Sequence, residues 1–580
     1  MKYLAIVRET NLPYLFWLSR RGNEIYVLDI APFLPVLRSP VRKIVERWIG
    51  KGVLHEVDRI CPNGEKFWRR RTRYSWIGWE RKSQATLENL ILKGAERDFG
   101  QPYQYVSLKQ TVCYGGDQIL TLLKFADFVK GDLPDEKIGI VGADPVAETL
   151  ARIVRAGTGG LVFRSPRFPA VAINFVTTAI VIASTLCRVA RFVRLRRPPE
   201  KQYLIGVDMW STTPEDTPMA LRPVERLCAA DDPAVLCVFR NRRDYLARKD
   251  FTGGVPCAPF PDGRYTLAGG MRTAAELTGD AFRLYRKHRG LFPALFFEIV
   301  KTVAVRAYYR GLINKYRFRF FLGRDEYDAN HIIRTEELRR AGGISMGIIN
   351  GTSGLGPNRV FMYVDFDISY VVSEGPLRKL YTGKWRNIDS LKLVGTTGLP
   401  EGRLALVDRP RSPDFACFTS PHSDGTRFID EVSKVARAFP DRMFRIGYKG
   451  NTFRLGGREE FDEAMARAPD NVIDEEGRNS FDLILRSRYV LCSQSTILAE
   501  SIELKSIAFF LDVYDGEVVS LFRDYPGINV TRGEQIVEKI KAYEAGTWAY
   551  PYEQLSDLCN LSGRSFYDHI YEDLGIAERV

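Results

Sequence analysis

Histidine is scarce in this sequence of 580 residues, and its cysteines show no paired spacing. Five histidines and nine cysteines are scattered along the chain, and no two cysteines form a C-x-x-C pair. This spacing excludes the common zinc sites and a disulfide framework. We therefore expect reduced, mostly buried cysteines in a protein that faces the cytosol.

Other familiar signals are also missing. The first 21 residues are interrupted by charged residues and a proline and have no long apolar core, so no secretory signal peptide is predicted. Gly139 and Gly142 do not complete the G-x-G-x-x-G pattern of dinucleotide-binding proteins, which disfavours a nicotinamide or flavin cofactor. No repeat or low-complexity tract is present, so we expect ordinary globular domains.

Acidic residues are outnumbered by basic ones. Lysine and arginine total 84 against 71 aspartates and glutamates, which gives a formal net charge of +13. Such a surface attracts phosphate-bearing ligands, anionic lipid or nucleic acid. The basic residues are dense at 68–81, 188–197 and 283–319, and the last two regions adjoin or contain apolar stretches. We therefore favour an anionic membrane surface, and no nucleic acid, as a partner.

The most apolar stretch runs from Ala170 to Cys187 and leads directly into an arginine-rich stretch. It is as long as the shortest transmembrane helices, which need about 17 to 25 residues. Asparagine, serine and threonine interrupt it, and a full span would separate the N-terminal region from the rest of the chain. We predict monotopic or re-entrant membrane association through segments 168–197 and 291–320, with a buried core helix as the alternative for the first.

Strand-like apolar runs alternate with helical patterns along much of the chain, which is typical of an α/β fold with open parallel sheets. A segment rich in proline, arginine and glycine near 400–413 indicates a domain boundary. We predict two Rossmann-like domains that face a cleft, with the apolar membrane-associating helices inserted in the N-terminal half. The domains are residues 1–399, with a possible separate module at 1–167, and residues 400–580, whose first strand is predicted at Leu404–Val407.

The clearest unit is the segment 489–512, YVLCSQSTILAESIELKSIAFFLD. Its two apolar runs predict parallel strands that are joined by a polar loop and a helix. Ser493, Ser495 and Thr496 would bring hydroxyl groups to a loop whose backbone N–H groups favour a phosphate. Glu500 would accept hydrogen bonds from a ribose or sugar hydroxyl. The alternative is ordinary helix capping by one of the hydroxyl groups.

Other strand ends supply further candidates for the same cleft. Lys449 follows a predicted strand of the second domain and would neutralise a diphosphate. Asn350 and Thr352 follow a strand of the first domain, and Arg324-Asp325-Glu326 follow another. Because ligands bind at the carboxyl ends of parallel strands, these groups would lie together if the two sheets face each other.

The order of these segments resembles a known family. The segments GIINGTSG, ISYVVSEGPLRKLY, LKLVGTTG, FRIGYKGN and SFDLILRSRYVLCSQSTILAESIELKSIAFFLD lie within residues 318–512. Together they are similar to GT-B-type glycosyltransferases of bacterial surface polysaccharide biosynthesis. The resemblance is closest to capsule and lipopolysaccharide enzymes that use CMP-activated sugars, and to the related polyol-phosphate transferases of teichoic acid synthesis.

The resemblance implies roles for single residues. Lys449 takes the position of a basic residue that binds the donor phosphates. Ser495 and Thr496 match a Ser-Thr motif of the family, and Glu500 matches its acidic partner. The chain differs from the family at two points, since Gly450-Asn451 replaces a His-Pro pair and Asn350-Gly351 stands where many relatives have His-Gly.

The resemblance also implies the chemistry. An inverting transfer needs a base for the acceptor hydroxyl, and the candidates are Asp325, Glu326 and Asp328, followed by His331. Enzymes of this type generally need no catalytic metal and no cofactor. The nucleotide sugar, possibly CMP-linked, is a substrate.

The resulting hypothesis is a metal-independent glycosyltransferase at the cytoplasmic face of the inner membrane, attached as a monotopic or peripheral protein. It would transfer a sugar from a nucleotide-sugar donor to a glycan or lipid-linked acceptor. Two alternatives remain open. One is a polyol-phosphate transferase of the teichoic-acid type, and the other is a non-catalytic GT-B scaffold, which the two missing histidine motifs keep open.

Overall fold

The described strands form three parallel β-sheets of five, seven and six strands, which follow one another along the chain. A computed structural model describes residues 1–30, 37–60, 103, 105–113, 138–142, 161–164, 170–194, 202–209, 220–228, 234–324, 326–349, 361–399, 401–420, 424–448, 458–493, 495–513 and 520–576. The predicted α/β class with open parallel sheets is confirmed.

The first sheet has the strand order β3-β2-β1-β4-β5. Its strands are β1 (Lys2–Val7), β2 (Glu24–Ile30), β3 (His55–Glu56), β4 (Ile138–Val141) and β5 (Leu161–Arg164), and its described helices are α1 (Leu12–Arg20) and α2 (Arg38–Gly50). β1 is central, and Leu4 and Ile6 are buried on it. A central parallel strand has both faces covered, which explains the nearly continuous apolar run KYLAIV. The possible separate module therefore holds a sheet of its own.

The second sheet has the strand order β12-β11-β10-β9-β6-β7-β8. Its strands are β6 (Ile205–Met209), β7 (Val235–Phe239), β8 (Cys257–Pro259), β9 (Phe320–Gly323), β10 (Ile344–Ile348), β11 (Ile368–Val371) and β12 (Leu391–Leu393). The first strand of this body, β6, lies in the middle beside β9, and the chain adds strands outward on each side. That is the doubly wound arrangement of a Rossmann-like body.

The helices that accompany the second sheet include a four-helix layer. In chain order they are α3 (Ala170–Phe192), α4 (Glu225–Cys228), α5 (Arg242–Arg248), α6 (Leu267–His288), α7 (Pro293–Val300), α8 (Thr302–Tyr316), α9 (Asn330–Arg340) and α10 (Gly375–Tyr381). Helices α3, α6, α7 and α8 share one apolar core, in which Leu277, Phe296 and Val303 are fully buried. Helix α8 also packs against α9, so the layer is held on the sheet.

The third sheet has the strand order β15-β14-β13-β16-β17-β18. Its strands are β13 (Ser412–Phe418), β14 (Phe444–Gly447), β15 (Val472–Asp474), β16 (Ser487–Cys492), β17 (Ile507–Leu511) and β18 (Asn529–Val530). The helices after β13 are α11 (Gly425–Ala438), α12 (Arg458–Ala466), α13 (Ser480–Arg486), α14 (Ile497–Glu503), α15 (Gly533–Glu544) and α16 (Phe566–Asp573). The second and third sheets are the two predicted Rossmann-like bodies.

The end of the chain returns to the second sheet. Phe566 and Ile570 of α16 are buried in the core of that sheet. The Tyr370 hydroxyl on β11 donates to Asp573 Oδ2 at 2.7 Å. Asp557 lies in the segment before α16, and its backbone carbonyl accepts from the Glu374 N–H at 3.0 Å. The second and third bodies are therefore joined by the linker after β12 and by the C-terminal segment.

The prediction that segment 291–320 associates with a membrane is wrong, because α7 and α8 lie in the interior. Phe296, Ile299 and Val303 are fully buried. Arg306 and Arg310 point inward and form ion pairs with Glu337 on α9, at 2.6 Å for Arg310 Nε. Apolar residues alternating with basic ones fit an interfacial helix equally well, and only the tertiary partner distinguishes the two cases.

The predicted strand at Leu404–Val407 is also wrong. The structure has a 3-10 helix at Glu401–Leu406, and the first strand of the third sheet is β13. The first three residues of β13, Ser-Pro-Asp, are not buried, whereas its last four are. A proline is tolerated at the start of a strand, but in the sequence it was interpreted as part of a linker, so the start of β13 was missed.

Candidate functional site

Strands β13 and β16 form the topological switch point of the third sheet, where an open α/β sheet has a crevice at its carboxyl edge. The remaining strands lie outward of these two, so the connections that leave β13 and β16 diverge. Open α/β sheets bind their ligands at this topological switch point. Cys492 at the end of β16 pairs with Phe418 at the end of β13, and the Ser493 N–H donates to Phe418 O at 2.9 Å. The predicted Ser-Thr segment therefore begins at the switch point.

The hydroxyl groups of this segment have different surroundings. Ser493 is fully buried, and its Oγ donates to Phe418 O at 3.5 Å. Ser495 Oγ accepts from the Ile497 N–H at 3.3 Å, which is the capping role considered as the alternative. Thr496 occupies the N-cap position, but its side chain makes no capping hydrogen bond. Capping therefore accounts for one of the three hydroxyl groups.

The second sheet has an equivalent crevice between β6 and β9. Asp208 lies near the end of β6 and pairs with Arg240, whose Nη2 is 2.9 Å from Asp208 Oδ2. Arg324 follows the last residue of β9 directly. The predicted catalytic segment therefore also begins at a switch point, that of the other Rossmann-like body.

Arg324 connects the two crevices electrostatically. Burial lowers the pKa of its guanidinium to about 10. The charges of Glu326 and Glu500 oppose this shift, so the group lies within reach of one carboxylate from each body. A pKa of about 10 leaves Arg324 positively charged at neutral pH. A buried charged group with a shifted pKa at the end of a central strand marks a candidate functional site.

Glu500 also contacts the second body directly. Its Oε1 accepts from the Thr396 hydroxyl at 3.3 Å, and Thr396 lies in the loop after β12. Beside it, Glu503 Oε2 accepts from the Thr396 N–H at 2.6 Å. Burial raises the pKa of Glu503 well above its ordinary value, and the charge of Glu500 adds to the rise. Helix α14 thus presents two carboxyl groups to Thr396, and both link the two bodies.

The Glu503 contact requires glycine at position 395. Gly395 has a φ of +75°, and a Cβ atom there would lie 2.2 Å from Glu503 Oε1. Positive φ is strained for other residues, and the contact leaves no space for a side chain. The loop LKLVGTTG therefore brings Thr396 to the carboxylates of α14.

Glu326, one of the predicted bases, lies at the same edge of the second sheet. It is fully buried. Its backbone carbonyl accepts from Lys109 Nζ at 2.5 Å, and the same Nζ donates to Met362 O at 2.8 Å. The helical stretch 105–113 therefore fixes the loop that carries Glu326.

His331, also predicted to be catalytic, is held by hydrogen bonds to backbone groups. Its Nε2 accepts from the Asp365 N–H at 3.3 Å, which places the ring proton on Nδ1, 2.6 Å from Asp328 O. The ring is fully buried and stacks on Phe366 at a centroid distance of 4.9 Å. Both nitrogens face backbone groups, an arrangement typical of a positioning residue.

The Asp365-Phe366-Asp367 sequence is engaged in ion pairs. Asp365 is fully buried and pairs with Arg339 at 2.7 Å and with Arg386 at 2.6 Å. Asp367 pairs with Arg339 at 2.6 Å. Within the part of the chain that the structure describes, no group of three or more His, Cys, Asp or Glu side chains could hold a metal ion.

Four predicted site residues, Asp325, Asn350, Thr352 and Lys449, lie outside the described residues and remain predictions. Two contributors were missed in the sequence, Thr396 and Glu503. Thr396 follows a strand-like run, which was a usable signal. The contact of Glu503 with a loop 107 residues away left no trace in the local pattern.

Comparisons with known proteins give similarity to solved structures alone. No family model matches the chain, and no curated protein matches its sequence. A UDP-GlcNAc 2-epimerase from Neisseria meningitidis bound to UDP-GlcNAc is 11% identical, with a TM-score of 0.38, over 65% of this chain and 99% of that chain. MurG from Acinetobacter baumannii is 10% identical, with a TM-score of 0.35, over 65% and 100%. The wall teichoic acid polymerase TagF is 10% identical, with a TM-score of 0.35, over 71% and 99%.

Proposed function

We propose that the protein is a glycosyltransferase that moves a sugar from a nucleotide-sugar donor to a glycan or lipid-linked acceptor in surface polysaccharide synthesis. One observation carries the proposal. Glu500 of the third body accepts from the Thr396 hydroxyl of the second body at 3.3 Å, and its charge acts on Arg324 at the switch point of the second sheet. A donor in one crevice and an acceptor in the other would meet at these residues.

The donor nucleotide would occupy the crevice of the third sheet. The hydroxyl groups of Ser495 and Thr496, together with the Lys449 ammonium, would bind its phosphates. Glu500 would accept hydrogen bonds from the ribose or the sugar in place of the Thr396 hydroxyl. These contacts recognise the phosphates and the ribose and do not select the nucleobase. A CMP-linked sugar is one donor of this kind.

The transfer itself needs a base and a stabilised leaving group. A carboxylate, Asp325 or Glu326, would accept the proton of the acceptor hydroxyl as its oxygen forms a bond to the anomeric carbon. The bond between that carbon and the donor phosphate oxygen breaks, and the phosphate leaves with the electron pair. Arg324 and Lys449 would stabilise its charge, so this route uses cationic side chains and needs no metal.

A thermal-shift screen of the full-length protein against CMP, CDP, UDP, GDP and dTDP tests the donor site. At a nucleotide concentration of about one hundred times the dissociation constant, binding should stabilise the fold by roughly 2.7 kcal/mol. We expect one nucleotide to raise the melting temperature. Arg324→Gln and Glu500→Gln should reduce that shift, whereas the exposed control substitutions Arg486→Gln and Glu538→Gln should not.

Other outcomes of the screen would redirect the proposal. The same screen is repeated with CDP-glycerol and with nucleotide sugars, and stabilisation by CDP-glycerol alone would favour polyol-phosphate transfer. No stabilisation by any of these compounds would favour the non-catalytic scaffold.

The orientation of α3 supports a site of action at a membrane. In the described part of the chain, this one helix is long and apolar enough to cross a membrane, with a mean hydropathy of 2.0 over its best window. Its polar residues face the protein: Asn174, Thr177, Thr178 and Thr185 are buried. Val181, Val189 and Phe192 are buried, but five other large apolar residues are exposed: Val171, Phe175, Val176, Ile180 and Leu186. An apolar outer face is the reverse of that of a helix on a soluble surface.

The polar residues of α3 are satisfied within the protein. Asn174 Nδ2 donates to Arg289 O at 3.0 Å and to Leu291 O at 2.9 Å. The Thr178 hydroxyl donates to Asn174 O at 2.8 Å, and the Thr185 hydroxyl donates to Val181 O at 2.7 Å. The asparagine and three threonines that weakened a membrane assignment in the sequence are therefore buried, whereas Ser184 is partly exposed.

Helix α6 extends the outward apolar surface and makes it basic. Met271 and Phe282 are exposed on it, and so is Arg286. Its carboxylates Glu276 and Asp280 turn inward to Arg310 and Arg306, at 2.9 Å and 3.1 Å. An apolar and cationic surface fits the headgroup region of an anionic membrane. Because α3 packs along α6 and α8, we infer attachment in the membrane plane, as a monotopic or peripheral protein at the cytoplasmic face.

Vesicle flotation tests this attachment. The protein should float with vesicles of phosphatidylglycerol and phosphatidylcholine and bind less to phosphatidylcholine alone. Replacing Phe175 and Ile180 together by Asp should lower binding to the anionic vesicles by at least about tenfold. Leu246→Asp, at an exposed leucine outside α3 and α6, should leave the binding unchanged. Equal flotation of both variants would contradict the assigned surface.

A further inference from the structure

Two cysteines face each other at the outer edge of the second sheet. Cys237 on β7 pairs in register with Cys257 on β8, and β8 is the edge strand. Neighbouring strands lie about 4.7 to 4.9 Å apart. Disulfides form between residues whose Cα atoms are about 4.4 to 6.8 Å apart. The backbone therefore already holds the two residues at a separation that a disulfide spans.

The two sulfur atoms are in different environments. Cys237 is fully buried, whereas Cys257 is partly exposed. A hydrogen bond from the Cys237 thiol lowers the pKa of Cys257 to about 7, and the Thr252 hydroxyl, 3.3 Å from its sulfur, adds to this effect. The protonated Cys257 thiol instead donates to Val255 O at 3.1 Å. Cys257 is thus the accessible sulfur, with a donor on each side when it is ionised.

We propose that Cys237 and Cys257 form a reversible dithiol–disulfide pair in which Cys257 is the sulfur that reacts first. The oxidant is a peroxide. The Cys257 thiolate attacks one peroxide oxygen, the O–O bond breaks, and a sulfenic acid and one water form after protonation. The Cys237 sulfur then displaces the hydroxyl group, which leaves as a second water, and the S–S bond forms. Two thiols and one hydrogen peroxide thus give one disulfide and two waters, and a small dithiol reverses the change.

A third cysteine is the natural competitor. Cys228 on α4 lies close enough to Cys237 for its charge to raise the pKa of Cys237. Burial raises the pKa of Cys228 itself to about 11, so little of it is thiolate at neutral pH. The pair should therefore exclude Cys228. The proposal is independent of the transferase activity and holds whether or not a nucleotide binds.

Peptide mapping of the full-length protein tests the pair. After treatment with hydrogen peroxide, the remaining thiols are blocked with N-ethylmaleimide in denaturant, and the protein is digested with trypsin. Cys228 and Cys237 fall in the peptide 227–240, and Cys257 falls in the peptide 250–264. We expect a cross-link between these peptides that lacks two hydrogen atoms, with Cys228 blocked. Dithiothreitol should separate the peptides again.

Variants decide which sulfur atoms react. Cys237→Ser should abolish the cross-link and leave a Cys257 sulfenic acid that dimedone traps, whereas Cys228→Ser should keep the cross-link. A circular dichroism spectrum checks that each variant is folded. The proposal is overturned if Cys237 and Cys257 are both still free thiols after oxidation and carry N-ethylmaleimide. It is also overturned if the cross-link is lost in Cys228→Ser and kept in Cys237→Ser.

Discussion

Gly395 lies at the contact between the two bodies. Its positive φ and the nearby Glu503 carboxylate both exclude a side chain. We expect Gly395→Ala to displace this carboxylate from the Thr396 N–H. Gly383 is a matched control, because its φ is +78° but a Cβ atom there would have no neighbour within 4 Å. In urea unfolding, Gly395→Ala should cost about 1 to 3 kcal/mol more than Gly383→Ala. Equal costs would show that the contact with Glu503 contributes nothing.

Glu503 should also make stability depend on pH. Burial raises its pKa in the folded protein, so the folded state holds the proton more tightly than the unfolded state. The stabilisation is fully present below the unfolded pKa of about 4.3 and is lost as the pH rises toward the folded pKa. Glu503→Gln keeps an acceptor for the Thr396 N–H and has no proton to lose. Its stability relative to the wild type, measured by urea unfolding, should increase between pH 5 and pH 8. A constant difference would contradict the raised pKa.

At the scale of residues, the sequence revealed one side of the site. Ser493, Thr496 and Glu500 follow a buried strand directly, and position after a strand is a local property. Thr396 and Glu503 belong to the site because they hydrogen-bond to each other, and this contact depends on how the two bodies meet. Arg324 was visible in the sequence as a residue at the end of a strand. Its burial and the nearby charges of Glu326 and Glu500 appear only in three dimensions.

Among the elements, strands covered on both faces were predictable and the surroundings of helices were not. The run IAFFL, predicted as a strand in segment 489–512, is β17, and the similar runs KYLAIV and IGIV are β1 and β4. Such strands carry continuous apolar runs because both faces are buried. Helix α8 was predicted to lie on a membrane because its arginines had no acidic partner within the segment. Their acidic partners lie on other helices, α6 and α9, which the local sequence does not show. For α3, the polar residues were visible in the sequence, but the direction they face was not.

The interior position of α8 rests on the Glu337 ion pairs. Glu337 is almost fully buried and accepts from Arg310 Nε at 2.6 Å and from Arg306. Glu337→Ala leaves two buried guanidinium groups with one fewer carboxylate. We expect a loss of about 3 to 5 kcal/mol in the free energy of unfolding, measured with urea. Asp524→Ala breaks the exposed pair with Lys379 and should cost no more than about 1 kcal/mol. Similar losses for the two variants would argue against a buried network.

The whole molecule contains more than the sequence indicated. Two Rossmann-like bodies with facing strand ends were predicted, and the structure adds a third parallel sheet at the N-terminus with its own doubly wound order. The C-terminal helix α16 packs on the second sheet, although it follows the third along the chain. Neither feature has a local pattern of its own. The first depends on strand pairing across more than a hundred residues, and the second on a return of the chain.

Hydrogen exchange with and without the stabilising nucleotide tests the central claim, that a nucleotide sugar binds between the switch points of the second and third sheets. We predict slower exchange in peptides that cover 489–504 and 391–399, on both sides of the Glu500–Thr396 contact, and in peptides that begin at β9. Peptides of the first sheet, β1 to β5, should exchange at an unchanged rate. Protection confined to the first sheet, or no protection at 489–504, would contradict the proposed donor site.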